Sequence, residues 1–531
     1  MSAPPSRAAG AVLLALLTLA AYSSSLGGGF LWDDDAYVVD NKTLTEPDGL
    51  RSIWLDPVAT PQYYPLVHTT FWAERRLWGL DPRGYRAVNL ALHLAAALML
   101  WAVLAESGVP WPWLAAGLFA LHPVHAESVA WVTERKNVLS AALALSSAWC
   151  YLRVLREPPG ARRALLYAAS GLLFVGGLLS KTVVCSLPAA LLVLLWRRSG
   201  RVKASEALPL APFFAAGLAL ALVTAGLERT HVGARGADWD LSAAQRVLVA
   251  GRAAWFYAGK LAWPQPLVFI YPRWTPDAAR AWQWLFPVSA AGLVALLWAR
   301  RERWGRGPLA AALYFGGTLV PALGFFDVYP MRFSFVADHF QYLASCGPLA
   351  LAAAGFARAA ASRPRVARGA AAAVLVAFGS LTFVRGRTFT GPEALWGDTL
   401  AKNPGCWMCL SNLAELRSKE GRPGEAVELY RRLLARHPDH TRARNNLGAL
   451  LIAAGDLDGA EENLRAALAL TPDHAGARSN LGAVLYKRGR LEESIVEFTA
   501  AARLDPALAD ARENLAAARA ELERRRRRPR D

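Results

Sequence analysis

Apolar runs of fifteen to twenty residues recur from the start of the chain to about residue 385, separated by short arginine-rich links, and then stop. Runs of that length cross a hydrocarbon core of about 30 Å as helices. The hydrophobic fraction of 54% exceeds the roughly 45–50% of globular proteins because this part carries the excess. Beyond about Gly386 charged residues rise sharply. The chain is therefore expected to be all-α, with a polytopic membrane domain followed by a soluble one.

The formal net charge of +17 would suggest a nucleic-acid partner in a soluble protein. Here the arginines cluster in links between apolar runs: Arg153, Arg156, Arg162 and Arg163; Arg197, Arg198 and Arg201; Arg300, Arg301, Arg303 and Arg306; Arg358, Arg363, Arg365 and Arg368. That is the positive-inside pattern of cytoplasmic loops, so nucleic acid is set aside. Expected spans are 10–27, 87–105, 113–130, 137–155, 165–180, 183–197, 208–226, 284–300, 308–323, 341–358 and 367–384. The first is read as an uncleaved span, since no clear small-x-small cleavage site ends it. A twelfth apolar stretch, 246–263, carries Arg246, Arg252 and Lys260 and is assigned to the membrane interface with its basic residues toward headgroups. Eleven spans then place the N-terminus in the cytoplasm and the C-terminus outside, in a multi-pass protein of a bacterial inner membrane or its luminal equivalent.

The soluble part repeats. Asn412-Leu413, Asn446-Leu447, Asn480-Leu481 and Asn514-Leu515 stand 34 residues apart, as do Gly421, Gly455 and Gly489, and Pro404, Pro438, Pro472 and Pro506. Ala426, Ala460 and Ser494 take a small-residue position, and Tyr430, Leu464 and Phe498 a bulky one. This is the period and pattern of tetratricopeptide repeats, two packed helices per unit. The expected division is a membrane domain 1–385, a half-repeat connector 386–406, repeats 407–523 and a basic tail 524–531. Running almost directly from the last span, the repeats would lie by the outer face.

On this topology the external loops hold the unusual polar residues, and the cytoplasmic links hold little except arginine. Asp33, Asp34 and Asp35 follow the first span directly. Crowded carboxylates at a bilayer edge repel one another and lose solvation, which raises the pKa of at least one and suits it to act as a general base. The plain alternative is an acidic turn that only ends a helix. In His122-Pro123-Val124-His125-Ala126-Glu127 the proline breaks or kinks a helix. Its histidines and Glu127 could hold a divalent metal, contact a polar substrate, or form a network that packs the kink; no third histidine or cysteine stands near to complete a metal site.

Basic groups outside form a third constellation: Arg135, Lys136, Lys181, Arg229 with His231, and Arg332 with His339. Their outward placement opposes the insertion rule, and a phosphate at headgroup level would account for it as well as ordinary attraction to anionic lipid. The five cysteines show no disulfide framework. Cys406 and Cys409 are read as small core residues, able to pair in an oxidising compartment.

Together these motifs resemble the transmembrane and tetratricopeptide repeat-containing proteins. The likeness rests on Trp32-Asp33-Asp34 followed by Asn41, on Tyr63-Tyr64-Pro65-Leu66, on Asn89 with His93, on His122 to Glu127, and on Arg135 with Lys136. Lys181-Thr182 stands where the family has a Lys-Glu step, and Asp35 is an extra acid. The resemblance implies a C-type glycosyltransferase fold, a polyprenyl-phosphate sugar donor, an acid of the first external loop acting near the acceptor hydroxyl, and O-mannosylation of serine or threonine.

The expected function is thus sugar transfer, on the periplasmic or luminal side, with Asp33 or Asp34 catalytic. Asn41, His122, His125, Glu127, Arg135, Lys136, Lys181, Arg229, His231, Arg332 and His339 would bind substrates. No cofactor is obligatory, the sugar donor is lipid-linked, and a polypeptide acceptor or partner would use the repeat surface. The competing reading is a membrane-anchored tetratricopeptide scaffold or a transporter of lipid-linked sugar. A tether needs a single span, and a transporter usually spreads polar groups along the whole crossing.

Overall fold

The computed structural model describes residues 7–527, and among them every regular element is helical. The chain divides into two compact units, residues 1–395 and 396–531.

In the first unit each expected apolar run forms helix. Six stretches are long and apolar enough to cross a membrane among the described residues: Arg7–Leu26, Pro82–Glu106, Thr182–Ser199, Ala204–Val232, Ala281–Ala299 and Pro364–Phe389. Many of their large apolar side chains point outward, such as Leu218 at 63% and Val288 at 63% exposure. Such a surface is stable only against lipid. The other expected spans are helices of shorter or less apolar sequence, among them Arg135–Val154, Ala161–Leu178, Gly307–Leu319 and Cys346–Ser362.

The expected single span 113–130 is corrected. A helix Pro112–Leu121 stops at His122, followed by short turns Pro123–His125, Ala126–Ala130 and Val132–Glu134. Ten residues rise about 15 Å, half a crossing. Proline at position 123 has no N–H to continue the ladder, and the broken backbone is tolerated because it is enclosed by protein. Every residue from 114 to 142 is buried.

This enclosed segment feeds the helix Arg135–Val154, the axis of the unit, which packs on Pro82–Glu106 and on Ala161–Leu178. Small residues permit the close approach: Ser147 Oγ donates to the Ser170 carbonyl at 2.8 Å, and Ser170 Oγ returns a bond to the Ser147 carbonyl at 2.9 Å. The stretch 246–263 is also a helix, Ala243–Ala262, capped by Ser242. Its basic residues differ from expectation. Arg246 pairs with Asp327 at 2.8 Å, Lys260 donates to the Pro266 carbonyl at 2.6 Å, and Arg252 lies over Trp274, so protein groups rather than headgroups hold them.

The second unit contains paired antiparallel helices: Trp407–Lys419 with Pro423–Arg436, Thr441–Ala454 with Leu457–Leu470, and Ala475–Lys487 with Leu491–Leu504, closed by Ala509–Arg527. The repeated glycines Gly421, Gly455 and Gly489 have φ of +73°, +83° and +75°, which only glycine adopts without strain. Ala426, Ala460 and Ser494 are fully buried between paired helices, against the core of Tyr430, Leu464 and Phe498. Cys406 caps the first of these helices and forms a disulfide with Cys409.

Candidate active site

The acidic turn hangs on a second loop. Trp131 Nε1 donates to the Leu31 carbonyl at 3.2 Å, and its ring stacks on Trp32 at 5.7 Å with planes 16° apart. Two residues on, Thr133 gives its N–H and its hydroxyl to one oxygen of Asp34 at 2.8 and 2.6 Å, while the other oxygen accepts from Leu31 N at 2.8 Å. Trp32 takes a left-handed backbone, φ +45°, to make this turn, a conformation that costs a bulky residue about 1–3 kcal/mol and clusters at working sites. Below the turn, Arg86 is buried and donates to the carbonyls of Ser25 and Gly29. A Cβ at Gly28 would collide with that guanidinium and lie 2.8 Å from the Phe389 carbonyl, so the approach requires glycine.

The grip separates the two aspartates. Asp34 is wholly buried and its carboxylate is fully claimed. Burial pushes it up to about 7, against the pull of those hydrogen bonds. Asp33 is half-buried, and its carboxylate takes no hydrogen bond among the described residues. Burial raises it to about 6, opposed by the charge of Lys136 and reinforced by Glu134.

Beside Asp33 lies a charge cluster centred on Glu134. Its carboxylate meets Lys136 Nζ at 3.2 Å, Lys181 Nζ at 3.6 Å and Asn137 Nδ2 at 2.5 Å, with His339 Nε2 at 3.9 Å. Burial pushes Glu134 up, but His339 and the two lysines more than offset it and hold it well below the usual carboxylate range. Lys181 also donates to Asn137 Oδ1 at 2.7 Å, and burial pulls its pKa down to about 8. Behind them His339 Nδ1 pairs with Glu127 at 2.5 Å.

Lys136, Asn137, Lys181, Arg229 and His339 line one end of a cavity of about 480 Å³. Its other walls are mixed: Gln62, Glu228 and Asp327 are polar or acidic, while Leu222 at 65% and Phe326 at 51% exposure are apolar. One void thus reaches from the lysines to exposed apolar side chains.

Several expected site residues lie elsewhere. Asn41 caps a turn through Thr43 N at 3.1 Å and binds the Tyr37 carbonyl. His122 Nε2 bonds the Leu261 carbonyl at 3.0 Å, and His125 bonds the Phe119 carbonyl at 2.8 Å and Ser345 Oγ at 3.0 Å. Both rings are fully buried, so of the three readings of this motif the network packing the kink is the one that the geometry fits. Among the described residues no group of three His, Cys, Asp or Glu side chains is placed to hold a metal ion. Arg135 is buried against Glu74, Asn89, Thr70 and the Tyr85 carbonyl, away from the cavity. His231 bonds the Thr60 carbonyl at 3.0 Å, and Arg332 sits by Tyr329 and Asp238.

Asn137 and Gln62, neutral residues outside any motif, also belong to the charge cluster, as do Glu134 and Glu228, two acids of the external loops to which the sequence attaches no role. Gln62 accepts from Lys136 at 3.4 Å and donates to Glu228 at 2.7 Å, tying together loops over 160 residues apart in the chain. Glu134 could have been found as the one acid directly before the Arg135-Lys136 pair.

Residues 417–466 and 450–509 match two family models, each described as tetratricopeptide repeat. The chain is 29% identical over 150 residues to protein O-mannosyl-transferase F38B6.6 of Caenorhabditis elegans, covering 26% of this chain and 22% of that one. It is 32% identical over 165 residues to the mouse protein O-mannosyl-transferase TMTC1, 28% of this chain and 17% of the relative. It is 30% identical over 155 residues to the human protein O-mannosyl-transferase TMTC3, 27% and 16% of the two chains. These three relatives are each named protein O-mannosyl-transferase. The matches span about a fifth of their length. Among solved structures the MamA protein is 21% identical with a TM-score of 0.23, covering 25% of this chain and 73% of that one.

Proposed function

We propose that this chain is a membrane glycosyltransferase that moves a sugar, mannose by analogy with its relatives, from a polyprenyl-phosphate donor to a serine or threonine hydroxyl of a polypeptide. The observation that carries the reading is an unclaimed carboxylate, Asp33, next to Lys136, which lines a cavity that also holds Lys181, Arg229 and exposed apolar side chains. The isoprenoid would lie along Leu218, Leu222, Phe325 and Phe326, and the phosphate beside Lys136, Lys181 and Arg229.

In the step itself Asp33 accepts the proton of the acceptor hydroxyl as its oxygen bonds to the sugar C1. The C1–O bond to phosphate breaks, and the electron pair leaves on the phosphate. That group already carries negative charge, so it needs electrostatic stabilisation, which the lysines supply in a water-poor site. Burial of Asp33 makes it a stronger base than an exposed aspartate. Asp34 has the different role of fixing the turn. The residues thus argue for Asp33 as the base, and a periplasmic or luminal site is the reading proposed with it.

The test is purified full-length protein in lipid nanodiscs, supplied with polyprenyl-phosphate mannose and a serine- and threonine-containing peptide. Mannosylated peptide from the wild type, lost in Asp33→Asn, supports the reading. Donor that crosses the membrane without peptide modification would identify a transporter instead.

A further inference from the structure

A second, larger cavity, of about 1000 Å³, lies on the outside of the first unit between the helices Arg7–Leu26, Pro112–Leu121 and Pro364–Gly386. Its lining from the last helix is one continuous face, running from Arg368 through Ala372, Val376 and Gly379 to Arg387 just beyond the helix end. Ala21, Leu114, Leu121, Ala371 and Leu375 are its buried floor, while Leu13 and Val376 on the rim are 45% and 68% exposed.

The two arginines stand at opposite ends. Nineteen residues of helix separate them, a rise of about 28 Å, which matches the hydrocarbon thickness of about 30 Å. The helices Arg7–Leu26 and Pro364–Gly386 run parallel, since Ser24 Oγ donates to the Phe383 carbonyl at 2.6 Å. Arg368 therefore lies level with the start of the first helix, where Trp113 Nε1 donates to the Gly10 carbonyl at 2.8 Å and Trp101 crowds Gly10. Arginine with tryptophans at one level is the signature of a membrane interface. Arg387 marks the other interface, its guanidinium 5.2 Å from the Phe383 ring. Both are exposed, and neither has an acidic ion-pair partner among the described residues.

An apolar trough as deep as the bilayer, with an unneutralised cation at each mouth, is complementary to anionic lipid. We propose that this groove holds anionic phospholipid, acyl chains on its apolar floor and phosphates on Arg368 in one leaflet and Arg387 in the other. The inference is independent of the transferase reading, because none of these side chains lines the cavity beside Asp33.

Full-length protein is reconstituted in phosphatidylcholine nanodiscs containing a minority of phosphatidylglycerol. Lipid retained after detergent extraction is then counted by native mass spectrometry. Wild type should keep phosphatidylglycerol in preference to phosphatidylcholine, and Arg368→Ala and Arg387→Ala should each reduce that preference about fivefold. Gly379→Leu fills the trough, where a Cβ meets nothing nearer than Leu121 at 4.0 Å, and should reduce retention of both lipids with an unchanged melting midpoint. The proposal is overturned by equal retention of the two headgroups in wild type, by arginine variants that retain lipid as wild type does, by polyprenyl phosphate as the lipid held, or by a dimer whose cross-links place a second copy on this face.

Discussion

Thr133 donates two hydrogen bonds to a single carboxylate oxygen of Asp34, from its N–H at 2.8 Å and its hydroxyl at 2.6 Å, across 99 residues of chain. Asp34 is thereby committed to holding the turn, and of the two Asp33 keeps a carboxylate to offer. Asp33→Asn should leave the fold intact and lower transfer by about 10²–10⁴-fold, the size of a lost general base. Asp34→Asn should instead destabilise the protein. One carboxamide oxygen can still accept from Thr133, but the amide nitrogen then faces the Leu31 N–H, a mismatch of about 1–3 kcal/mol. Initial transfer rates beside melting midpoints separate the two. Equal rate loss in both variants with equal stability would refute the division of labour.

The same environment sets pH dependence. Asp34 has a folded pKa raised to about 7, above the unfolded value of about 3.9. The folded state therefore binds the proton more tightly than the unfolded state. This contribution is fully present below pH about 4 and is lost as pH rises through about 7. The melting midpoint in detergent should therefore fall on going from pH 5 toward pH 8, and Asp34→Asn should flatten that slope. Activity should run the other way at its acid limb, rising through about pH 6 as Asp33 ionises.

How far the sequence reached follows from the range of the interactions involved. Helices and repeats were legible because their signals are local: apolar runs, a 34-residue period, and glycines whose positive φ recurs at 421, 455 and 489. The acidic turn was legible as a charge anomaly. What separates Asp33 from Asp34 was not, because it depends on Thr133, a neutral residue far along the chain. The histidines of the His-Pro motif were ambiguous for a related reason. Two imidazoles beside a proline read the same whether their nitrogens face a ligand or, as here, the carbonyls of Phe119 and Leu261.

In the solenoid the packing is tight enough to predict one glycine against another. A Cβ at Gly482 would lie 2.8 Å from the Phe498 ring, which is itself buried, whereas one at Gly424 meets nothing within 4 Å. Gly482→Ala should cost about 1–3 kcal/mol by overpacking. Gly424→Ala, in the first turn of Pro423–Arg436, should be neutral or slightly stabilising. Hydrogen exchange of the full chain reads both, through earlier opening of residues 475–504 in the first variant only.

The lysines make the last case, because Glu134 shares its charge between them. Removing one lysine leaves Glu134 paired with the other, so the fold should survive, but the cationic end of the cavity loses half of its lysine charge. Lys181→Met and Lys136→Met should each lower transfer by about 10²–10³-fold, the scale of a lost electrostatic contact to a developing anion. Removing Glu134 is a different perturbation. Glu134→Ala leaves two buried ammonium groups and the Asn137 amide without their common acceptor, and should destabilise the protein by about 3–5 kcal/mol. Melting midpoints measured with and without inorganic phosphate test the assignment further: phosphate should stabilise the wild type and give less stabilisation to either lysine variant. If phosphate raises all three midpoints equally, the anion is bound elsewhere and the cluster serves only to hold the loops together.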